Sequence, residues 1–299
     1  MLHIEFRDAA DKRFDLVELG AHAEHQSLLD QIAGKDRVHK YGAQTTDELL
    51  KFRIGGDGYS KTAYAIVDEA DTVESVIYGY NYDGLPGNVD EILKEKSSTP
   101  KGKTSHRAFY SISALVNGGG PRMINSLVSN CPEDLAPVTL SPLRTTRKNY
   151  PQFNAASLCA HEKMVLGFVH LLDCNNPDFE KTNDVQRFHM GNGAIILHIN
   201  TAANTPDSID GVEGYGIMPN YGYTIGAEQR KANQTLFTAI RKGHEPVENI
   251  VRLMDVKLAE TVTGLMSAGV MAELYTRQMV DNLQRVLSDV KASMPRLAI

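Results

Sequence analysis

Two side chains in this sequence have the type and setting to handle protons. His189 lies in "RFHMGNGAIILHIN" (187–200), two residues ahead of a Gly-Asn-Gly triplet, and imidazole has an ordinary pKa close to neutrality. Ser141 lies in "TLSPLRTTRK", at the end of a strand that Pro142 obliges the chain to leave; ligand sites in α/β proteins favour such strand ends. Each has a plainer account. A serine before proline is a common turn residue, and a histidine beside a turn is often a rim residue. No Gly-x-Ser-x-Gly elbow surrounds Ser141, so covalent Ser–His catalysis is the poorer expectation. A later run, "IMPNYGY", adds Asn220, Tyr221 and Tyr223. Paired tyrosines in a strand are more often core or rim than catalytic.

A third feature could bind rather than react. "ALVNGGGPRMINSL" puts Asn117, Gly118, Gly119 and Gly120 between a strand and a helix, with Pro121 at the expected first helical position and Arg122 next to it. Glycines let backbone approach a ligand, and amides at a helix N-terminus attract anions. A diphosphate cradle and an ordinary strand-to-helix turn both fit. It is not a Walker loop, because no Gly-Lys-Ser/Thr follows, and dinucleotide glycine spacing is absent. Arg144, Arg147 and Lys148 could neutralise a phosphate; a solvated charge run is the plainer reading.

The elements that would position these groups follow from pattern. Residues 1–60 read as a short strand (2–6), helical pieces and a glycine-rich loop, "RIGGDGYSK". "TAYAIVDE", "VESVIYGYNYD", "RAFYSISALV" and "APVTLSP" read as strands. A short helix (89–95) and a polar loop, "KSSTPKGKTSH", interrupt them. Residues 154–172 alternate at helical spacing. "GNG" between two apolar-alternating runs predicts a β-hairpin, with His189 on the strand just before its turn. After about Gly226 the pattern is helical, with Pro246 set for a first helical turn. The expected organisation is an N-terminal segment packed on the core (1–60), a mixed α/β core (61–225) and a C-terminal helical appendage (226–299). "LMSAGVMAELYTRQMVDNLQRVL" carries an apolar stripe, for packing against the parent domain or, alternatively, for homo-oligomer contact.

Bulk properties narrow the partners. The chain has 299 residues, 42% of them apolar, and a net charge of −6, enough for a real core. Without a clustered basic face, nucleic acid is not an expected partner. The N-terminus lacks the apolar core of a secretory signal, and no stretch approaches the ~20 apolar residues of a membrane span. Cys131, Cys159 and Cys174 are too scattered for a disulfide framework or a metal cluster. A reduced cytoplasmic protein is expected.

Taken in order, "FYSIS" (109–113), "TLSP" (139–142), "RFHMGNGAIILHIN" (187–200) and "GIMPNYGY" (216–223) resemble the catalytic domain of malonyl-CoA decarboxylases over roughly residues 60–225. That resemblance implies the Gcn5-related acetyltransferase fold, an α/β (α+β) mixed sheet flanked by helices. It places the family's catalytic serine on Ser141 and its catalytic histidine on His189. The serine of the Ser-Ile-Ser strand falls on Ser111 and the last tyrosine of the terminal strand on Tyr223. It also implies that coenzyme A binds at the loop from Asn117 to Arg122, as an acyl-CoA substrate. The sequence departs from the family where an acidic residue is usual, at Met123, and in the glycine loop itself. It departs again after Leu-Ser-Pro, and at Asn204, unless a gap aligns Asp207 there.

The reaction so implied is decarboxylation of malonyl-CoA or a substituted malonyl thioester. The thioester carbonyl takes up the electrons, so no metal and no cofactor beyond the coenzyme A moiety is expected. Donors must stabilise an enolate-like oxygen and a group must then deliver a proton; His189 suits acid–base work, with Ser141 donating and Ser111 or Tyr223 orienting. The alternatives are an acyltransferase moving the acyl group to an amine or carrier thiol, and a CoA-binding protein without turnover.

Overall fold

The computed structural model describes residues 3–8, 10–20, 22–35, 45–52, 61–82, 84–89, 106–131, 135–173, 184–203 and 213–293. The glycine-rich loop at 53–60, most of the expected helix at 89–95, nearly all of the polar loop after it, and Asn204 and Asp207 lie outside the described residues. Two compact units emerge: residues 1–86 with 91–139, and residues 87–90 with 140–299.

The first unit is built on β-branched and aromatic runs with alternating burial. Its strands are β1 (His3–Arg7), β2 (Arg13–Leu19), β3 (Lys61–Asp68), β4 (Val73–Tyr82), β5 (His106–Ala114) and β6 (Ala136–Leu140), paired in that order. The first five are antiparallel and β5–β6 is parallel, so the sheet is mixed, as the resemblance implies. β2, "RFDLVEL", was not expected as a strand, although it buries Phe14, Leu16 and Leu19. Asp15 and Glu18 thin its apolar signal, and pairing to β1 and β3 overrides that weakness. Leu29 and Ile32 of helix α1 (Gln26–Lys35) and Leu49 of α2 (Thr46–Phe52) pack with Ala63, Ala65, Val76 and Tyr78 as one apolar cluster. Helix α3 (Gly119–Ser129) buries Met123, Ile124, Leu127 and Val128 at helical spacing.

The chain passes into the second unit through the end of β6. There α4 (Thr146–Asn149), α5 (Ala160–Leu172) and α6 (Asp184–Gly191) precede an antiparallel pair, β7 (Ile195–Asn200) and β8 (Met218–Gly222). Helix α7 (Ala227–Arg241), a 3₁₀ segment (Val247–Leu253) preceded by Pro246, α8 (Val256–Ser267) and α9 (Arg277–Ser293) complete the unit. Asp255 caps α8 by accepting from the amides of Lys257 and Leu258. The apolar stripe of α9 is covered within the unit: Val280, Leu283, Val286 and Leu287 are buried, which is the packing account of that stripe.

Candidate active site

Period-two alternation of β8 places Tyr221 and Tyr223 (one residue past the strand) on one face. Tyr221 pairs with Ile196 and Asn220 with His198, with a bulge between those two β7 residues; bulges commonly re-aim side chains beside active sites. Asn220 is spent on structure, accepting at Oδ1 from Asn200 Nδ2 at 2.8 Å.

His189 does not stand on a hairpin strand. It sits in the last turn of α6, and Gly-Asn-Gly closes that helix instead of turning a hairpin. The Ala194 amide donates to the His189 carbonyl (3.1 Å) and the Gly193 amide to Met190 (3.0 Å), with Gly193 at φ +85°. This is the Schellman pattern, for which a glycine at positive φ is the usual terminator. A Cβ on Gly193 would also meet the Arg230 carbonyl oxygen at 2.5 Å. The triplet serves a hairpin and a helix end equally well, since both need glycine at positive φ; in the helix Gln186 and Met190, four residues apart, are both buried. The backbone carbonyl of His189 is therefore part of the cap that fixes its own helix.

Ser141 follows β6 directly. Its amide donates to the Pro219 carbonyl (3.1 Å) and that of Leu143 to Ile217 (3.2 Å); Pro142, with no N–H, falls between them. Thr146 Oγ1 then donates to the Leu143 carbonyl at 2.8 Å. This leaves the Ser141 hydroxyl 2.9 Å from His189 Nε2. On the other side of the ring, Nδ1 lies 2.7 Å from the Tyr223 hydroxyl. Tyr221 stacks on the imidazole with ring centroids 4.7 Å apart, and Phe188 meets it edge-on at 5.2 Å. Ser141, His189 and Tyr223, named separately from the sequence, thus form one continuous chain of hydrogen bonds, all of it buried.

Burial sets the protonation state. It takes the His189 pKa down from 6.5 to about 3, so the ring is neutral at physiological pH. This corrects the expectation that His189 titrates near neutrality. Burial, with the neighbouring Tyr221, pushes the Tyr223 phenol well above its ordinary value, and its proton stays on. A buried phenol proton needs an acceptor, and Nδ1 is the one in reach. That assigns Nε2–H as the donor to Ser141 Oγ, leaving the serine proton to point elsewhere.

The remaining expected residues belong to the first unit. Ser111 is buried on β5, opposite Tyr78 on β4. Helix α3 starts at Gly119, so Pro121 is its third residue, still within the first turn where its missing N–H costs nothing. Gly118 caps the helix at φ +83°. A Cβ on Gly119 would lie 2.6 Å from the Glu74 carbonyl oxygen, and its amide donates to Val116 at 3.2 Å. Positive φ at Gly118 and close chain approach at Gly119 therefore account for glycine at these two positions. Arg122 is ion-paired to Glu74 and, at 3.3 Å, to Asp8, and lies over the Phe14 ring at 4.1 Å, so two carboxylates already offset its charge. Met123 is fully buried. In the second unit Arg144, Arg147 and Lys148 are exposed, as the solvated-run reading has it. Among the described residues, no three His, Cys, Asp or Glu side chains converge as a metal site, and no helix is long and apolar enough to cross a membrane.

Residues 139–239 match the family model of the malonyl-CoA decarboxylase C-terminal domain. The match is to the malonyl-CoA decarboxylase family. The matched stretch holds Ser141, His189, Tyr221 and Tyr223 together. Among solved structures, malonyl-CoA decarboxylase from Agrobacterium vitis is similar with a TM-score of 0.58 at 18% identity, over 83% of this chain and 67% of that one. The Rhodopseudomonas palustris enzyme gives 0.58 at 20%, over 76% and 62%, and that of Cupriavidus metallidurans 0.56 at 16%, over 83% and 67%. The chain thus spans roughly two thirds of the length of these decarboxylases, and at such identities the likeness speaks for the fold. No curated protein matches the chain in sequence.

Within the malonyl-CoA decarboxylase-like stretch, the sequence offers Tyr221 only as a core or rim residue, without its stack on His189. The signal was available. Two tyrosines two apart in a strand share a face, so any neighbour that bonds one can stack on the other.

Proposed function

We propose that this chain decarboxylates malonyl-CoA or a substituted malonyl thioester, yielding the acyl-CoA and CO₂. The Tyr223–His189–Ser141 hydrogen-bond chain carries the reading, with separations of 2.7 and 2.9 Å; the malonyl-CoA decarboxylase match across the residues that form it is the second support. In the reaction the bond from C2 to the free carboxylate breaks. Its electron pair passes into the thioester as an enolate, and CO₂ leaves. C2 then takes the Ser141 hydroxyl proton. Ser141 Oγ takes the proton on His189 Nε2, Nδ1 takes that of Tyr223, and solvent restores the phenol. The imidazole changes tautomer without ever becoming a cation, which fits its depressed pKa of about 3. The thioester is itself the electron sink, so the proposed steps draw on no metal or organic cofactor. Ser111 is assigned an orienting role, and the coenzyme A diphosphate the Asn117–Gly120 segment at the start of α3. Ion-paired Arg122 contributes there by holding α3 to β4 and to the Asp8 turn.

The test is turnover of malonyl-CoA in D₂O. Protonation at C2 by this relay yields acetyl-CoA with one deuterium in its methyl group and one CO₂ per acetyl-CoA. Acyl groups appearing instead on an added amine or carrier thiol would replace the reading with acyl transfer.

A further inference from the structure

Tyr221 carries a hydroxyl that nothing in the described structure answers. The residue is fully buried, its ring lies 4.7 Å from the His189 ring with 19° between the planes, and its Oη has no hydrogen-bond partner. Tyr223, on the same face of β8, uses its hydroxyl on His189 Nδ1. Phenylalanine at position 221 would make the same stack without burying an unpaired polar atom, which gives up the hydration it has in the unfolded chain. An orphaned hydroxyl against the central imidazole has a use once a ligand brings it an acceptor.

We infer that Tyr221 is a further catalytic residue, its hydroxyl donating to the thioester carbonyl oxygen of the bound acyl-CoA as negative charge builds there. The inference rests on the decarboxylase reading and names the donor that the reaction still lacks. Ser141 is occupied with the proton for C2 and Tyr223 with His189, so neither is left for the enolate oxygen. A donor on the departing carboxylate would hold charge where it must be lost; one on the carbonyl oxygen gains strength as the enolate forms. Stacking on His189 fixes the ring in advance, so no reorientation is needed during the reaction. Burial raises the phenol's pKa far above neutrality and keeps it a donor.

Tyr221→Phe removes the hydroxyl and keeps the ring. With malonyl-CoA, kcat should fall about 100- to 1000-fold while the melting temperature holds or rises, because an unpaired buried polar atom is gone. Acetyl-CoA has the carbonyl but no carboxylate, and free CoA has neither. Acetyl-CoA should bind the variant about 2- to 10-fold more weakly than the parent, and free CoA should bind both equally. Unchanged kcat together with unchanged acetyl-CoA affinity overturns the inference. So does weaker binding of malonyl-CoA alone, which would put the hydroxyl on the carboxylate. Should the parent leave malonyl-CoA intact, the decarboxylase reading fails by itself, and the comparison of acetyl-CoA with free CoA still decides for Tyr221.

Discussion

A histidine whose pKa is held at about 3 passes protons without a titration of its own near neutrality. kcat/KM for malonyl-CoA should therefore show no histidine limb between about pH 5.5 and 8.5; an acid limb near the ordinary histidine pKa would mean that the ring works as a cation. Ser141 and His189 also act as consecutive links of one path, so their losses should not add. Ser141→Ala and His189→Ala should each cost about 100-fold or more in kcat, and the double variant little beyond either single one. Steady-state kinetics on the three variants checks this, and additive losses would break the relay into independent contributions. At this scale the sequence already pointed to Ser141, His189 and Tyr223. It was silent on the histidine's protonation state and gave Tyr221 no role, because both depend on what closes around the ring in three dimensions.

Elements were legible to the degree that their signals were local. Strands β3 to β6 and the helices after Gly226 announce themselves by apolar periodicity. Gly-Asn-Gly is ambiguous in one dimension, because a Schellman cap and the turn of a hairpin ask for the same residues. What decides is tertiary: Gly193 abuts the Arg230 carbonyl of α7, and Asn233 Nδ2 donates to the Gly193 carbonyl at 3.1 Å. The helices after Gly226 thereby hold the end of α6, and with it His189. Gly193→Ala forces a Cβ into this contact as well as into positive φ. The left-handed conformation alone costs about 1–2 kcal/mol. Urea unfolding should show a loss at least that large, accompanied by lower turnover; unaltered stability would mean that the cap is not what holds α6. Glycines 118 and 119 teach the converse lesson. They suggested a ligand, and a left-handed cap at Gly118 and close packing of Gly119 on β4 are sufficient local reasons for glycine there.

The whole molecule responds to pH through two buried histidines, His170 and His189. Burial lowers His170 to about 4 and His189 to about 3. In the unfolded chain both take up protons below about pH 6.5, where the folded protein still excludes them. The unfolded state then binds more protons, and stability falls as pH drops from 6.5 toward 4. Each histidine contributes at most about 1.4 kcal/mol per pH unit to that slope. Denaturation midpoints between pH 7 and 5 should decline, and decline less steeply in His170→Leu; equal slopes would contradict the assignment. Association is a second property of this scale. With the α9 stripe covered and only Val116 and Ile225 among the described large apolar residues exposed, sedimentation at micromolar concentration should give a monomer near 32.9 kDa; a dimer that dissociates when α9 is altered would restore the oligomer reading of that helix.

The most direct test of the central claim is mass spectrometry of CoA thioesters after incubating the purified protein with malonyl-CoA, beside a Ser141→Ala control. Conversion to acetyl-CoA by the parent and its suppression in the control are the predicted result. Intact malonyl-CoA, in a sample whose melting temperature CoA thioesters still raise, would contradict decarboxylation.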